Sequence, residues 1–174
     1  RGVKARECGI KVLNEKTMHR LLFTIFLLAS LAASAQEYAY PLVGVRGQHS
    51  ASFGEMRENH FHSGIDIKTD GVEGKPVVAV ADGYVSRVSL SPSGYGLALY
   101  ITHPQTGTTS VCGHLSRLRD DLRDRLTAER YAGRKNRINL CFKPSEFPVS
   151  RGETVAWSGN SGTSFGPHLH FEIR

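Results

Sequence analysis

Between Lys75 and Cys112, apolar runs of four or five residues alternate with turn signals, and this rhythm excludes most of what 174 residues could fold into. Val77-Val78-Ala79-Val80-Ala81 is followed by Asp82-Gly83, then by the alternating Tyr84-Val85-Ser86-Arg87-Val88. Pro92-Ser93-Gly94 precedes Leu97-Ala98-Leu99-Tyr100-Ile101, and Thr106-Gly107 precedes Thr109-Ser110-Val111-Cys112. Such runs have the length of strands and are too short for packed helices. Ile138 to Phe142 and Thr154 to Trp157 read the same way. The expected fold class is therefore all-β, a barrel or sandwich. Gly74-Lys75-Pro76-Val77-Val78-Ala79 is echoed by Gly152-Glu153-Thr154-Val155-Ala156, which suits a sheet built from two similar halves. One segment breaks the pattern. Leu115, Leu118, Leu122 and Leu126 recur at helical spacing, with Asp121 and Arg125 four apart, so one amphipathic surface helix is expected from Leu115 to about Arg130. Its arginines form either a solvated face or a surface for an anionic polymer.

The formal charge of +6 needs correcting before it is read. Leu21 to Ala35 is an apolar run behind His19-Arg20 that ends in Ala33-Ser34-Ala35, a secretory cleavage pattern. It is shorter than the roughly 20 residues that a spanning helix needs. The expected division is an upstream extension over 1–17, a signal peptide over 18–35 starting at Met18, and one domain over 36–174 with a truncated C-terminal edge. The product would then be exported to the periplasm, the cell envelope or the medium. The leader holds six of the 22 basic and two of the 16 acidic residues, leaving 16 against 14. The basic pI is thus mostly a property of the leader and implies no nucleic-acid partner. No cysteine stands at the cleavage point, which argues against a lipid anchor. Cys112 and Cys141 remain, and whether they pair is open.

Chemistry concentrates in two stretches. In Gly166-Pro167-His168-Leu169-His170-Phe171-Glu172, strand alternation sends His168 and His170 to one face and Leu169 and Phe171 toward a core. A lone His-x-His pair is as compatible with satisfied core imidazoles as with ligands. The second stretch is His62-Ser63-Gly64-Ile65-Asp66, which follows Phe53-Gly54 and Arg57 and adds an imidazole and a carboxylate. Two imidazoles and a carboxylate suit a catalytic zinc site whose fourth position is open. His60 would share the face of His62; His103 and His49 read as a strand end and a surface loop. Glu172 either orients a ligand ring or faces solvent.

Phe61-His62-Ser63-Gly64-Ile65-Asp66-Ile67, Gly113-His114-Leu115-Ser116, Ser158-Gly159-Asn160-Ser161-Gly162 and Gly166 to Arg174, in that order, resemble the lysostaphin and LytM type of zinc metalloendopeptidases. The resemblance covers about Phe53 to Arg174. It implies a duplicated hybrid motif fold and an activity against peptide bonds of bacterial peptidoglycan. It also implies Zn2+ as cofactor, held by His62, Asp66 and His170, with His114 and His168 as catalytic histidines beside it. A zinc ion so held would polarise the scissile carbonyl and acidify water toward ~7 while the two histidines move protons. There are two departures. Cys112 stands where the family usually has an aromatic residue, two positions before His114, so that it either approaches the metal or is a buried or bonded thiol. The insertion around 117–148 is also longer than in compact relatives.

Two rivals differ in class. A non-catalytic wall-binding or amidase-activating module on the same fold would be expected to have lost ligands, and this chain keeps every one. A lipoyl or biotinyl carrier would need a lysine at a hairpin tip, which Asp82-Gly83 lacks. Nor is the serine-bearing turn at 158–162 a Gly-x-Ser-x-Gly elbow. The bond cut, a D,D cross-link or a glycine bridge, is not encoded in these motifs.

Overall fold

In a computed structural model, Leu97–His103 is a strand with apolar residues on both of its faces, and this double burial organises the molecule. Leu97, Leu99 and Ile101 enter the main core, while Ala98 and Tyr100 join Val111 and Tyr95 in a smaller cluster. Side chains of a strand alternate, so an unbroken apolar run signals cover on both sides. The structure describes residues 38–174 except 46, 58 and 59, together with positions 14, 16, 18, 19 and 23. The chain divides into units of residues 1–36 and 37–174, and the second is described below. The cleavage pattern at Ala33-Ser34-Ala35 lies outside the described residues. No helix among those described is long and apolar enough to cross a membrane.

Eleven strands follow one another: β1 (His49–Ala51), β2 (Ile65–Lys68), β3 (Pro76–Val78), β4 (Gly83–Leu90), β5 (Leu97–His103), β6 (Thr108–Gly113), β7 (Leu115–Leu118), β8 (Ile138–Cys141), β9 (Pro148–Val149), β10 (Thr154–Ser158) and β11 (His168–Ile173). An eight-stranded sheet has the order β1-β2-β11-β6-β5-β4-β8, with β9 also on β4, and a three-stranded sheet has the order β3-β10-β7. Ile67, Val88, Leu99 and Leu169 from the large sheet meet Val77, Leu115, Leu118 and Val155 from the small one in a single cluster. At about 1.5–3 kcal/mol for each fully buried aliphatic side chain, this cluster is the main apolar contribution to folding. The two echoed segments pair with each other: Thr154 lies opposite Val78 and Ala156 opposite Val77. The mostly β architecture of residues 38–174, with one helix among their described residues, is the expected class.

Two expectations about the helix are corrected. Leu115 and Leu118 are not helical; they form β7 on β10, and the helix α1 spans Asp120–Gly133, burying Leu122 and Leu126. Residues three apart on a regular strand face opposite ways. Here Leu118 pairs with Ala156, Arg117 with Trp157, and Leu115 with Ser158, which leaves Ser116 as an extra, bulged residue. The bulge turns both leucines inward, and Ser116 Oγ donates to Ser158 O at 2.7 Å. Nor does Asp121 pair with Arg125. Asp121 takes Arg119 at 2.8 Å, and Arg125 faces Glu129 at 3.6 Å. Arg119 also pairs with Glu153, tying the helix start to the turn before β10.

Of the readings open for Cys112, the buried thiol is the one found. It is buried in the core, opposite Phe171 on one side and Leu99 on the other, and both Cys112 and Cys141 are free thiols. Burial pushes the Cys112 thiol up to about 12, whereas Cys141 is exposed on β8. Since the thiolate is the reactive form, native protein treated with a thiol reagent near neutral pH should label Cys141 and spare Cys112 until denaturant is added. Peptide mapping checks this; equal labelling, or a recovered Cys112 to Cys141 disulfide, would contradict it.

Candidate metal centre

Strand register assembles the site. β11 pairs with β2 so that His170 lies opposite Asp66 and His168 opposite Lys68. Residues directly opposite in an antiparallel pair share a face, so one row carries both histidines and the carboxylate. His62 reaches the same point from the segment before β2. That segment doubles back as a hairpin, Gly54 N donating to His62 O and His62 N to Glu55 O, each at 2.8 Å. Two glycines make room. A Cβ on Gly64 would lie 2.3 Å from Phe171 O, and one on Gly113, opposite His170, would press at 3.3 Å on both His170 Cβ and the Tyr95 ring.

His62 Nε2, Asp66 Oδ1 and His170 Nδ1 form a triangle with sides of 3.1, 3.0 and 2.9 Å. All three residues are buried. The other nitrogen of each ring is occupied. His62 Nδ1 lies 2.8 Å from Ser52 O, and His170 Nε2 lies 2.8 Å from Glu172 Oε1. A carbonyl and a carboxylate only accept, so those nitrogens carry the protons, and two lone pairs and a carboxylate oxygen face one another. One shared proton would relieve a single contact. A divalent cation relieves all three, so the donor set fits a metal with nitrogen and oxygen ligands. Burial works against charge on Asp66, yet the neighbouring imidazoles hold its carboxyl below the usual range. Likewise burial opposes a charged His170, while Asp66 and Glu172 hold it above the usual imidazole range.

Glu172 does not face solvent. It is buried, and its Oε1 accepts from His170, Ser63 at 2.7 Å and Tyr95 at 2.6 Å, while Oε2 pairs with Arg174. Burial alone would raise its pKa, but these donors hold it far below the usual carboxylate range. A carboxylate so fixed sets the tautomer and orientation of His170. From the other side Arg57 holds Asp66, its Nη2 donating to Asp66 Oδ2 at 3.2 Å.

His114 and His168 stand beside the triangle with ring centroids 4.6 Å apart. His114 is the single residue between β6 and β7 and has φ 58°, a left-handed conformation uncommon outside glycine. That kink carries the chain from the large sheet to the small one and ends the strand alternation. It is the reason Cys112, two residues earlier, points to the core rather than toward the site. His114 Nδ1 donates to Ser161 O at 2.8 Å and His168 Nδ1 to Gly166 O at 2.8 Å, which leaves both Nε2 atoms as acceptors. Burial pushes His114 below the usual imidazole range, so it is neutral at neutral pH. The serine-bearing turn is a scaffold: Ser161 Oγ donates to Leu115 O and accepts from Leu97 N, and Gly162 packs on Gly96.

All five nominated residues line one groove of about 1110 Å³. His60 lines it too but is exposed, whereas His103 is fully buried away from it, between Asp82 O and Ser110 Oγ. His49 is exposed on β1 rather than in a loop. Tyr95 and Ser63 are not among the site residues that the sequence points to. Tyr95 sits in a turn 77 residues from Glu172, and no local motif marks it.

Residues 60–138 match peptidase family M23. The chain carries a domain of that family. An "Uncharacterized metalloprotease" of Haemophilus influenzae is 33% identical over 112 residues, covering 64% of this chain and 18% of that protein. The "DD-carboxypeptidase/endopeptidase Mpg" of Neisseria meningitidis serogroup B is 32% identical over 114 residues, covering 66% and 20%. The chain thus spans about a fifth of the length of these relatives. Among solved structures, the catalytic domain of the prophage-encoded M23 protein EnpA from Enterococcus faecalis, a point variant, superposes with TM-score 0.52 at 27% identity, covering 77% of this chain and 85% of that one. The catalytic domain of lysostaphin from Staphylococcus simulans gives 0.52 at 21% identity, covering 72% and 78%, a likeness of fold. The M23 domain here is a β-rich peptidase domain of the lysostaphin type.

Proposed function

We propose that this chain is an exported zinc-dependent endopeptidase that hydrolyses peptide bonds in peptidoglycan stem peptides or cross-links. The observation that carries the reading is the triangle of His62 Nε2, Asp66 Oδ1 and His170 Nδ1, flanked by two histidines with free Nε2 atoms on one groove wall. Zinc bound by those three residues supplies Lewis-acid chemistry, polarising the scissile carbonyl and acidifying water. His168, whose Nε2 lies 3.6 Å from Asp66 Oδ1, is placed to accept the proton of the attacking water and return it to the leaving amine. His114, held neutral by burial with its Nδ1 proton on Ser161 O, would orient the attacking water by accepting its hydrogen bond at Nε2. The Arg57 and Glu172 contacts keep Asp66 and His170 in place, so the donors do not reorganise during turnover.

The name of the Neisseria relative favours a D,D bond over a glycine bridge as the one cut. The test is to purify the chain, measure bound metal, and incubate it with purified sacculi. Near-stoichiometric zinc and new amino termini in the released muropeptides are expected, both lost on chelation and restored by Zn2+. Intact wall peptides after incubation with verified metal-loaded protein would overturn the reading.

A further inference from the structure

The row that bears Asp66 and the two histidines has a fourth member. Lys68 follows Asp66 by two residues on β2, so their side chains leave the same face, and register sets Lys68 directly opposite His168. Opposite Cβ atoms in such a pair lie about 4.5–5.5 Å apart. Lys68 lines the groove and is exposed. Among the described residues, the other charged side chains lining the groove are paired. Arg57 is held by Asp66 at 3.2 Å and by Glu55 at 3.6 Å, and Asp70 is held by Lys75 at 2.5 Å. Among the described residues, no acidic side chain pairs with Lys68. A lone surface lysine is ordinarily just solvated. This one differs because it lines the groove in the row of the proposed donors, while the described carboxylates nearby already have cationic partners.

We propose that Lys68 is a specificity-determining residue that holds a free carboxylate of the substrate, so that the groove selects acidic peptides over their amidated counterparts. Two strand residues span about 6.6–6.8 Å, so the recognised carboxylate lies within about two residues of the scissile bond. The inference rests on the reading of the groove as a peptidase site, and its test separates the two. Two cross-linked peptides are compared that differ only in whether one carboxylate flanking the scissile bond is free or amidated. They are presented to the wild-type chain, Lys68→Met and Lys68→Arg, each with measured metal content. Wild type should prefer the free acid in kcat/KM by on the order of tenfold, the range of a charged hydrogen bond. Lys68→Met should bring the free acid down to the level of the amidated peptide without loss of metal, and Lys68→Arg should keep most of the preference.

Equilibrium binding of the same peptides to metal-free protein gives a readout that needs no turnover. The free acid should bind more tightly to wild type than to Lys68→Met, and the difference should shrink with added salt. Equal binding of both peptides by wild type, failure to bind either, or an unchanged preference in Lys68→Met overturns the role of Lys68. Absence of cleavage with the binding preference intact sinks the peptidase reading and leaves the carboxylate site standing.

Discussion

His170→Ala should lose both bound metal and peptide hydrolysis, whereas His168→Ala should keep its metal and lose activity by about 10²–10⁴-fold, the range of a missing general acid or base. The two residues are neighbours on one face of β11, so strand geometry alone does not separate them. Their hydrogen bonds do. His170 gives its Nε2 proton to Glu172 and turns Nδ1 into the triangle at 2.9 Å from Asp66. His168 gives its Nδ1 proton to Gly166 O, and its Nε2 stays 3.6 Å from Asp66. Removing His170 takes away one of the three donors of the triangle. Removing His168 takes a proton acceptor and leaves the triangle whole. Metal analysis after exhaustive dialysis, paired with turnover of a defined cross-linked peptide, reads both effects, and circular dichroism confirms that each variant is folded. Equal metal content in the two variants would void this division of labour.

Gly64→Ala should be the most damaging small substitution near the site. A Cβ there would lie 2.3 Å from Phe171 O and 2.7 Å from Glu172 Cγ, closer than real contacts allow. The obstruction is backbone, which cannot rotate away, so β2 and β11 would have to separate where Ile65 pairs with Phe171. Overpacking of this kind costs about 1–3 kcal/mol, and a Tm lower by on the order of 5–10 °C is expected. Because the same strand pair sets Asp66 against His170, metal affinity should also fall, on the order of tenfold. Gly166→Ala is the control: a Cβ there meets nothing within 4 Å, and its Tm should be nearly unchanged. Thermal melts and competitive metal titration of both variants check this. A Gly64→Ala protein with wild-type melting and wild-type affinity would show that the strands tolerate the methyl group, and the close-approach account would be wrong.

Much of this protein is legible before any coordinates are seen, for a local reason. Short apolar runs between turns mark strands because alternation has a period of two residues. The same period places His168 with His170 and sends Leu169 to the core. What was misread depended on partners far away in sequence. Leu115 and Leu118 satisfy a helical spacing as well as they satisfy β7; only pairing with β10 and the bulge at Ser116 decide between them. Whether Cys112 approaches the metal or is buried is likewise open in the sequence, and the left-handed φ at His114, which ends the strand alternation there, goes with its burial in the core. Glu172 was undecided between solvent and an orienting role, and what resolves it is a hydroxyl from Tyr95, a residue no motif singles out.

The residues by themselves determined the β class, the breaks between strands, and a set of imidazoles and one carboxylate suited to a nitrogen and oxygen metal site. The tertiary structure decided which nitrogen of each ring faces that site, that Cys112 belongs to the core, and that Lys68 stands in the same row as His168. The difference is physical. Strand formation and side-chain alternation are properties of adjacent residues, whereas register and ring tautomer are set by groups that meet only once the sheets have closed.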